Sequence, residues 1–357
     1  MNVSSRLAQP SGDQPVEPVR LLAAFAETPL LDLPRLAARL GVAKVLAKDE
    51  SRRMLGNFKS LGGTYAALRA LARAMGTGKI ERPDPTCAPG VLPTLICASD
   101  GNHGLAVAAA ARLAGTASHV FLHSGVSAGR ARRIVAQGAA ITWVQGCYDD
   151  AVETAAVAAR AGAGILVADT AADVTDPVIE DVMTGYSVIA MEIRRQVKTA
   201  GHRRPTHIFV QAGVGGLAAT MITLKPWMAG PAEFIVAEPE RAACVAAGMA
   251  EGRPVRISLE RATSAAMLAC GQASAPALKL LRRHAARSMT VQEATLIEAP
   301  SLLREHGGPA TTPSGAAGLA GLVDAVGNVQ AASDLNLVAT SRVLILITET
   351  DIEGDLP

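Results

Sequence analysis

Aromatic residues are scarce in this 357-residue sequence: Phe, Trp and Tyr make up 3% of it, so the stacking surfaces that grip single-stranded nucleic acid are not expected. An excess of charge is missing too. The 34 Lys and Arg stand against 32 Asp and Glu, a net +2, and no basic face suited to nucleic acid or anionic lipid stands out. No apolar run approaches the roughly 18 residues that a membrane helix needs, and the N-terminus lacks a charged region leading into an apolar one. Nor is there a Cys-x-x-Cys pair. Cys87, Cys97, Cys147, Cys244 and Cys270 are odd in number and irregularly spaced, which argues against a disulfide framework and a zinc ribbon. What these absences leave is a soluble, unexported protein of the cytoplasm with small-molecule partners, no nucleic acid and no membrane.

Hydrophobic residues are plentiful at 49%, enough for a sizeable core. Residues 1–20, with Pro10, Pro15 and Pro18, read as a loose arm. Further on, short apolar runs alternate with alanine-rich stretches: Leu95 to Ala98, Val120 to Leu122, Ile141 to Val144, Ile165 to Ala168, Ile208 to Val210, Phe234 to Ala237 and Val343 to Ile347. These predict buried parallel strands. After Lys59, residues Leu61, Tyr65, Leu68, Leu71 and Met75 recur on one helical face. Alternating strand and helix predicts a doubly wound α/β architecture. The Pro- and Gly-rich stretch Gly76 to Pro93 reads as a linker, so 92–178 is expected to form a smaller α/β domain beside a larger one of 21–91 and 179–357.

In open α/β sheets ligands gather at the carboxyl ends of the strands. Polar or glycine-rich clusters follow five predicted strands: Ser99-Asp100-Gly101-Asn102-His103-Gly104, Asp169-Thr170, Gly213-Val214-Gly215-Gly216, Glu238-Pro239 and Thr348-Glu349. The loop from Gly213 to Leu217 admits two readings, a phosphate cradle at a helix N-terminus or a tight strand-to-helix turn. Its spacing is not Gly-x-Gly-x-x-Gly, and no Gly-Lys-Ser/Thr follows. Lys59, in Asn57-Phe58-Lys59-Ser60-Leu61-Gly62-Gly63, sits just before the helical pattern beside glycines that open the surface, a setting that suits Schiff-base chemistry. His119 and His123 bracket a predicted strand, where that spacing holds them apart, and Glu238 has no identifiable companion ligand, so no metal site is expected.

With Lys48-Asp49-Glu50, Asn57-Phe58-Lys59, the segment from Ser99 to Gly104 and the loop from Gly213 in this order, the chain resembles fold-type II pyridoxal 5′-phosphate (PLP) enzymes, and in particular the diaminopropionate ammonia-lyase family. The resemblance runs from about Thr28-Pro29-Leu30 to the C-terminus and takes in Tyr148-Asp149-Asp150, Ala269-Cys270-Gly271 and Pro313-Ser314-Gly315-Ala316. It implies two α/β domains with the cofactor in the cleft between them, and a homodimer. Lys59 then holds PLP as a Schiff base, Asn102 contacts its phenolic oxygen, Gly213, Val214, Gly215, Gly216 and Leu217 hold its phosphate, and Thr348 meets its pyridine nitrogen. The backbone of Ser99, Gly101 and His103 receives the substrate carboxylate. Asp100 is implied to be the discriminating residue, where dehydratases show serine or threonine, and Asp169 falls at a second acidic position of the family. A carboxylate beside the bound substrate suits a cationic β-amino group; an N-cap after a strand is the other reading of Asp169.

Some segments depart from the pattern. Ala172-Asp173-Val174-Thr175 intervenes before Gly185-Tyr186, the interval from Glu50 to Lys59 matches threonine synthases and dehydratases better than typical ammonia-lyases, Thr312-Pro313 stand before Ser314-Gly315 without the family's acidic residue, and Thr348-Glu349-Thr350-Asp351 replaces Thr-Glu-Gly-Asp. The expected reaction is α,β-elimination of ammonia from a small diamino acid such as 2,3-diaminopropionate, giving pyruvate and ammonia. The alternatives are a β-replacement synthase, a serine or threonine dehydratase or racemase, and a catalytically silent PLP-binding protein.

Overall fold

The computed structural model describes residues 26–76, 92–99 and 101–351. The arm at 1–20, most of the Pro-rich linker, Cys87 and Asp100 lie outside the described residues. The described strands are β1 (Leu30–Asp32), β2 (Lys44–Asp49), β3 (Leu95–Ser99), β4 (Ser118–His123), β5 (Ala140–Val144), β6 (Ile165–Leu166), β7 (His207–Gln211), β8 (Glu233–Pro239), β9 (Arg287–Val291) and β10 (Arg342–Ile347). They form two sheets, ordered β1-β2-β10-β7-β8-β9 and β5-β4-β3-β6. Neighbours pair in parallel, except that β1 runs antiparallel to β2.

Every residue of β3 and β7 is buried, which is why those strands read as unbroken apolar runs: a parallel strand covered on both faces has no solvent side to alternate with. The edge strand β9, Arg-Ser-Met-Thr-Val, buries only Val291 fully and has no such run. Neither it nor the antiparallel β1 stands out in the sequence. The predicted strand Ile165 to Ala168 stops at Leu166, and the chain turns away there toward Asp169.

Two compact units result, one of Lys59–Val188 and the other of Ala26–Phe58 with Ile189–Asp351. The first contains β3 to β6, the second the six-stranded sheet. This division differs from the expected 92–178 because the helix Lys59–Ala74 packs along the helix Asn102–Ala114. Its glycines allow the approach. A Cβ on Gly63 would lie 2.7 Å from Ala106 Cβ, and one on Gly62 would lie 2.6 Å from the carbonyl oxygen of Val182. Gly62 and Gly63 are buried, so they serve helix packing and do not open a surface beside Lys59 as their sequence position suggests. In the second unit Val45, Phe209, Ile235, Leu319, Val343 and Ile345 belong to one apolar core. No helix among the described residues is long and apolar enough to cross a membrane.

Candidate active site

In the unit of Lys59–Val188, Lys59 is the first residue of its helix and its Nζ donates to Asp169 Oδ2 at 2.9 Å. The lysine side chain keeps 19% exposure while Asp169 keeps 6%, so the amine sits at the open end of the pair. The other oxygen, Oδ1, accepts from the phenol of Tyr148, the first residue of the helix Tyr148–Arg160. Asp169 is therefore engaged by two side chains and does not act as an N-cap. Burial pushes its carboxyl up, but the Lys59 ammonium, the nearby His103 and the two hydrogen bonds outweigh this and hold it well below the usual carboxylate range. Burial raises the thiol of Cys97 and the phenol of Tyr186, both of which feel the charges of Lys59 and Asp169.

The loop after β3 is braced from within. Ser99 Oγ accepts from the amides of Gly101 (2.8 Å) and Gly104 (2.7 Å), so the Gly101 amide points at Ser99. Gly101 has φ +132°, and a Cβ there would meet Arg130 Cδ at 2.9 Å, so the position needs glycine on two counts. Arg130 Nη1 donates to Asn102 Oδ1 at 3.3 Å, which orients that amide. His103 is fully buried, and because a carbonyl only accepts, its Nε2 carries the hydrogen donated to Val167 O at 2.8 Å. Burial lowers its pKa, and its bond to Val167 O ties the start of the Asp169 segment to the Ser99 loop. His119 and His123 both lie on β4: His119 meets Thr142 Oγ1, and His123 Nδ1 accepts from Gly125 N.

In the unit with the six-stranded sheet, Gly213 to Leu217 link β7 to the helix Gly216–Met221, with Gly215 at φ +97° as its N-cap. The amides of this loop donate to no group among the described residues, so they present a run of N–H donors at a helix start. Gln211, the last residue of β7, donates from Nε2 to Gly315 O at 2.8 Å and to Thr348 Oγ1 at 3.0 Å. That bond fills an acceptor site on Thr348 and turns the hydroxyl hydrogen away from Gln211. Thr348 O in turn accepts from the amide of Phe58, the residue before Lys59 in the chain. Glu238 caps the helix Cys244–Glu251 by accepting from Val245 N (2.7 Å) and Ala246 N (2.8 Å), while burial pushes its carboxyl up to about 8. Among the described residues no three His, Cys, Asp or Glu gather as metal ligands.

Tyr148, Gln211 and Arg130 stand out only in three dimensions. Sequence pointed at Tyr148 merely as part of a motif, and nothing in the spacing pointed at Gln211 or Arg130.

A partly exposed lysine amine on an ionised carboxylate, an amide-lined loop and a hydroxyl elsewhere in the chain are the kinds of group with which an α/β enzyme can hold a phosphorylated aldehyde cofactor. The chain belongs to the family of pyridoxal-phosphate dependent enzymes, whose model matches residues 21–349, and its fold is their fold type II. It is 31% identical to a diaminopropionate ammonia-lyase of Salmonella typhimurium, over 93% of this chain and 87% of that one. The corresponding enzyme of Escherichia coli K12 is 30% identical, over 93% and 86%. A crystal structure of Escherichia coli diaminopropionate ammonia lyase in complex with an aminoacrylate-PLP azomethine reaction intermediate superposes with a TM-score of 0.83, at 29% identity, over 94% of this chain and 87% of that one. The residues present fit the cofactor: the donor-lined loop suits a phosphate, and the oriented Thr348 hydroxyl suits a neutral ring nitrogen.

Proposed function

We propose that this enzyme eliminates ammonia from a small diamino acid such as 2,3-diaminopropionate, giving pyruvate and ammonia. Lys59 would hold PLP covalently, the amides from Gly213 to Leu217 would hold its phosphate, Thr348 would face its pyridine nitrogen and Asn102 its phenolic oxygen. When bound, the cofactor supplies an electron sink for the carbanion at Cα. Lys59 or Asp100 takes the α-proton according to the configuration of the substrate, the part of Asp100 resting on the resemblance. Ser99, Gly101 and His103 form the loop for the substrate carboxylate, in which Ser99 works by bracing the turn.

The observation that carries this reading is the ionised Asp169 at the amine of Lys59. A fixed carboxylate keeps a β-amino group in its ammonium form. When the Cβ–N bond breaks, its electron pair leaves on nitrogen as neutral ammonia, and no acid is needed. A hydroxyl group departs well only if a proton is delivered to it, which a carboxylate held as an anion does not do. The same chemistry favours ammonia loss over serine or threonine dehydration. Incubation of the PLP-loaded protein with 2,3-diaminopropionate, serine and threonine, with and without an added nucleophile, tests the reading: ammonia and pyruvate from the diamino acid alone are expected, while a β-replacement product or preference for serine overturns it. Borohydride reduction and peptide mapping should place the adduct on Lys59. We place the enzyme in the cytoplasm as a homodimer; the described cysteines are all thiols, which suits a reducing compartment, and light scattering measures the assembly.

A further inference from the structure

We infer that Tyr148 is a positioning residue that selects the leaving group: its phenol occupies Oδ1 of Asp169, so that Oδ2, as an anion, is the oxygen presented to the amine at Lys59 and to the β-ammonium group of a diamino acid. The inference rests on the function proposed above and deepens it. Tyr148 is buried, and its place is fixed because it opens a helix whose N-cap, Cys147, is locked by a reciprocal bond from its amide to Asp150 Oδ2 at 2.7 Å. Among the described residues, the charged and titratable groups around the Asp169 carboxylate are Lys59, His103, Cys97, Tyr186 and Tyr148 itself. Of these, Lys59 and Tyr148 are the two that bond to it.

A hydrogen bond donated to a carboxylate favours its charged form. Without the phenol, Asp169 loses one of the donors that keep it ionised and is free to turn. The oxygen presented at Lys59 is then no longer fixed, so the hold on the β-ammonium group, and with it the preference for ammonia as leaving group, weakens.

The test compares holoenzyme with Tyr148→Phe across pH, using 2,3-diaminopropionate and serine as substrates. The acid limb of kcat/KM for the diamino acid is expected to move up by about one pH unit or more, with kcat down roughly tenfold. The ratio of serine to diamino-acid turnover is expected to rise at least about fivefold. An unmoved limb with an unchanged ratio overturns the inference. Urea unfolding of the apoproteins supplies a second readout. A carboxylate with a depressed folded pKa adds stability above its unfolded pKa and loses it as pH falls through the folded value. The advantage of wild type over Tyr148→Phe should therefore be full near neutrality and shrink as pH falls through and below the ordinary carboxylate range. A gap that does not change with pH marks a packing role only and overturns the inference. Should Tyr148→Phe fail to fold, 3-fluorotyrosine at position 148 keeps the shape with a stronger donor and should move the acid limb down; no movement overturns the inference. If the wild-type enzyme releases no ammonia from any diamino acid, the proposed function fails, while the unfolding experiment still decides whether Tyr148 keeps Asp169 ionised.

Discussion

Two buried ionic clusters in this chain use the same kinds of groups to opposite ends. Around Arg53, in the unit with the six-stranded sheet, the guanidinium donates to Glu50 Oε1 (2.8 Å) and Oε2 (2.8 Å) and to Glu192 Oε1 (2.9 Å) and Oε2 (2.6 Å). Lys48 Nζ adds bonds to Glu192 Oε2 (2.5 Å), Thr28 O (2.7 Å) and Gln196 Oε1 (3.1 Å). The side chains of Arg53, Glu50 and Lys48 are fully buried, and both oxygens of Glu192 are matched. In the unit of Lys59–Val188, by contrast, Lys59 pairs with Asp169 and keeps a fifth of its side chain in reach of solvent. A network sealed and satisfied on every side has no donor left for a substrate, so it holds strand β2 to the helix Pro177–Thr199. The smaller, open pair has room to exchange its partner. Ionic pairing alone does not mark a reactive site; the unsealed end does.

If that distinction is right, Lys59→Ala should produce the largest effect, a loss of turnover of about a thousandfold or more, with no borohydride-trapped adduct and little change in the urea midpoint. A large fall in stability with turnover retained would reverse the comparison. Next is Arg53→Met, which strands Glu50 beside a second acid. It should cost about 3–5 kcal/mol in urea unfolding, the range for breaking a buried pair from one side, whereas a cost under about 1 kcal/mol, as for a surface pair, would mean that the network is not sealed. Asp169→Asn follows, with kcat/KM for the diamino acid down about a hundredfold. Steady-state ammonia release measured against the serine rate checks that the loss falls on the diamino acid.

Much of this was legible in the chain, for reasons that can be named. The strands β3, β7, β8 and β10 declare themselves because burial on both faces requires continuous apolar residues; Asp169, the loop from Gly213 and Thr348 declare themselves by following such runs, and Lys59 by standing just before a helical pattern. What stayed hidden was set by pairing across distance. Gly62 and Gly63 look like a surface opening until Ala106 and Val182 are seen against them. The ties from Arg130 to Asn102, from Gln211 to Thr348 and from Tyr148 to Asp169 span 28, 137 and 21 positions, and no local spacing encodes them. Glu238, read as a lone acid, finds its partners in the helix that starts at Cys244, because a buried carboxylate and a helix N-terminus each lack what the other offers.

The smallest effect is expected inside the sealed cluster and separates its two cations. Burial lowers the pKa of Lys48 despite Glu192 and Glu50 nearby, so its charge recovers less from the network than it loses in leaving water. Arg53, bonded to both oxygens of both glutamates, is held above its ordinary value despite the same burial. Replacing Lys48 with methionine keeps the stem that packs in the strand and removes a costly ammonium, while Glu192 remains paired with Arg53 through both oxygens. Lys48→Met should therefore cost only about 1–2 kcal/mol, chiefly from the lost bond to Thr28 O, less than the cost of Arg53→Met. Equal losses in urea unfolding of the two variants would mean that the cluster is one cooperative unit, not an arginine clamp with a dispensable lysine.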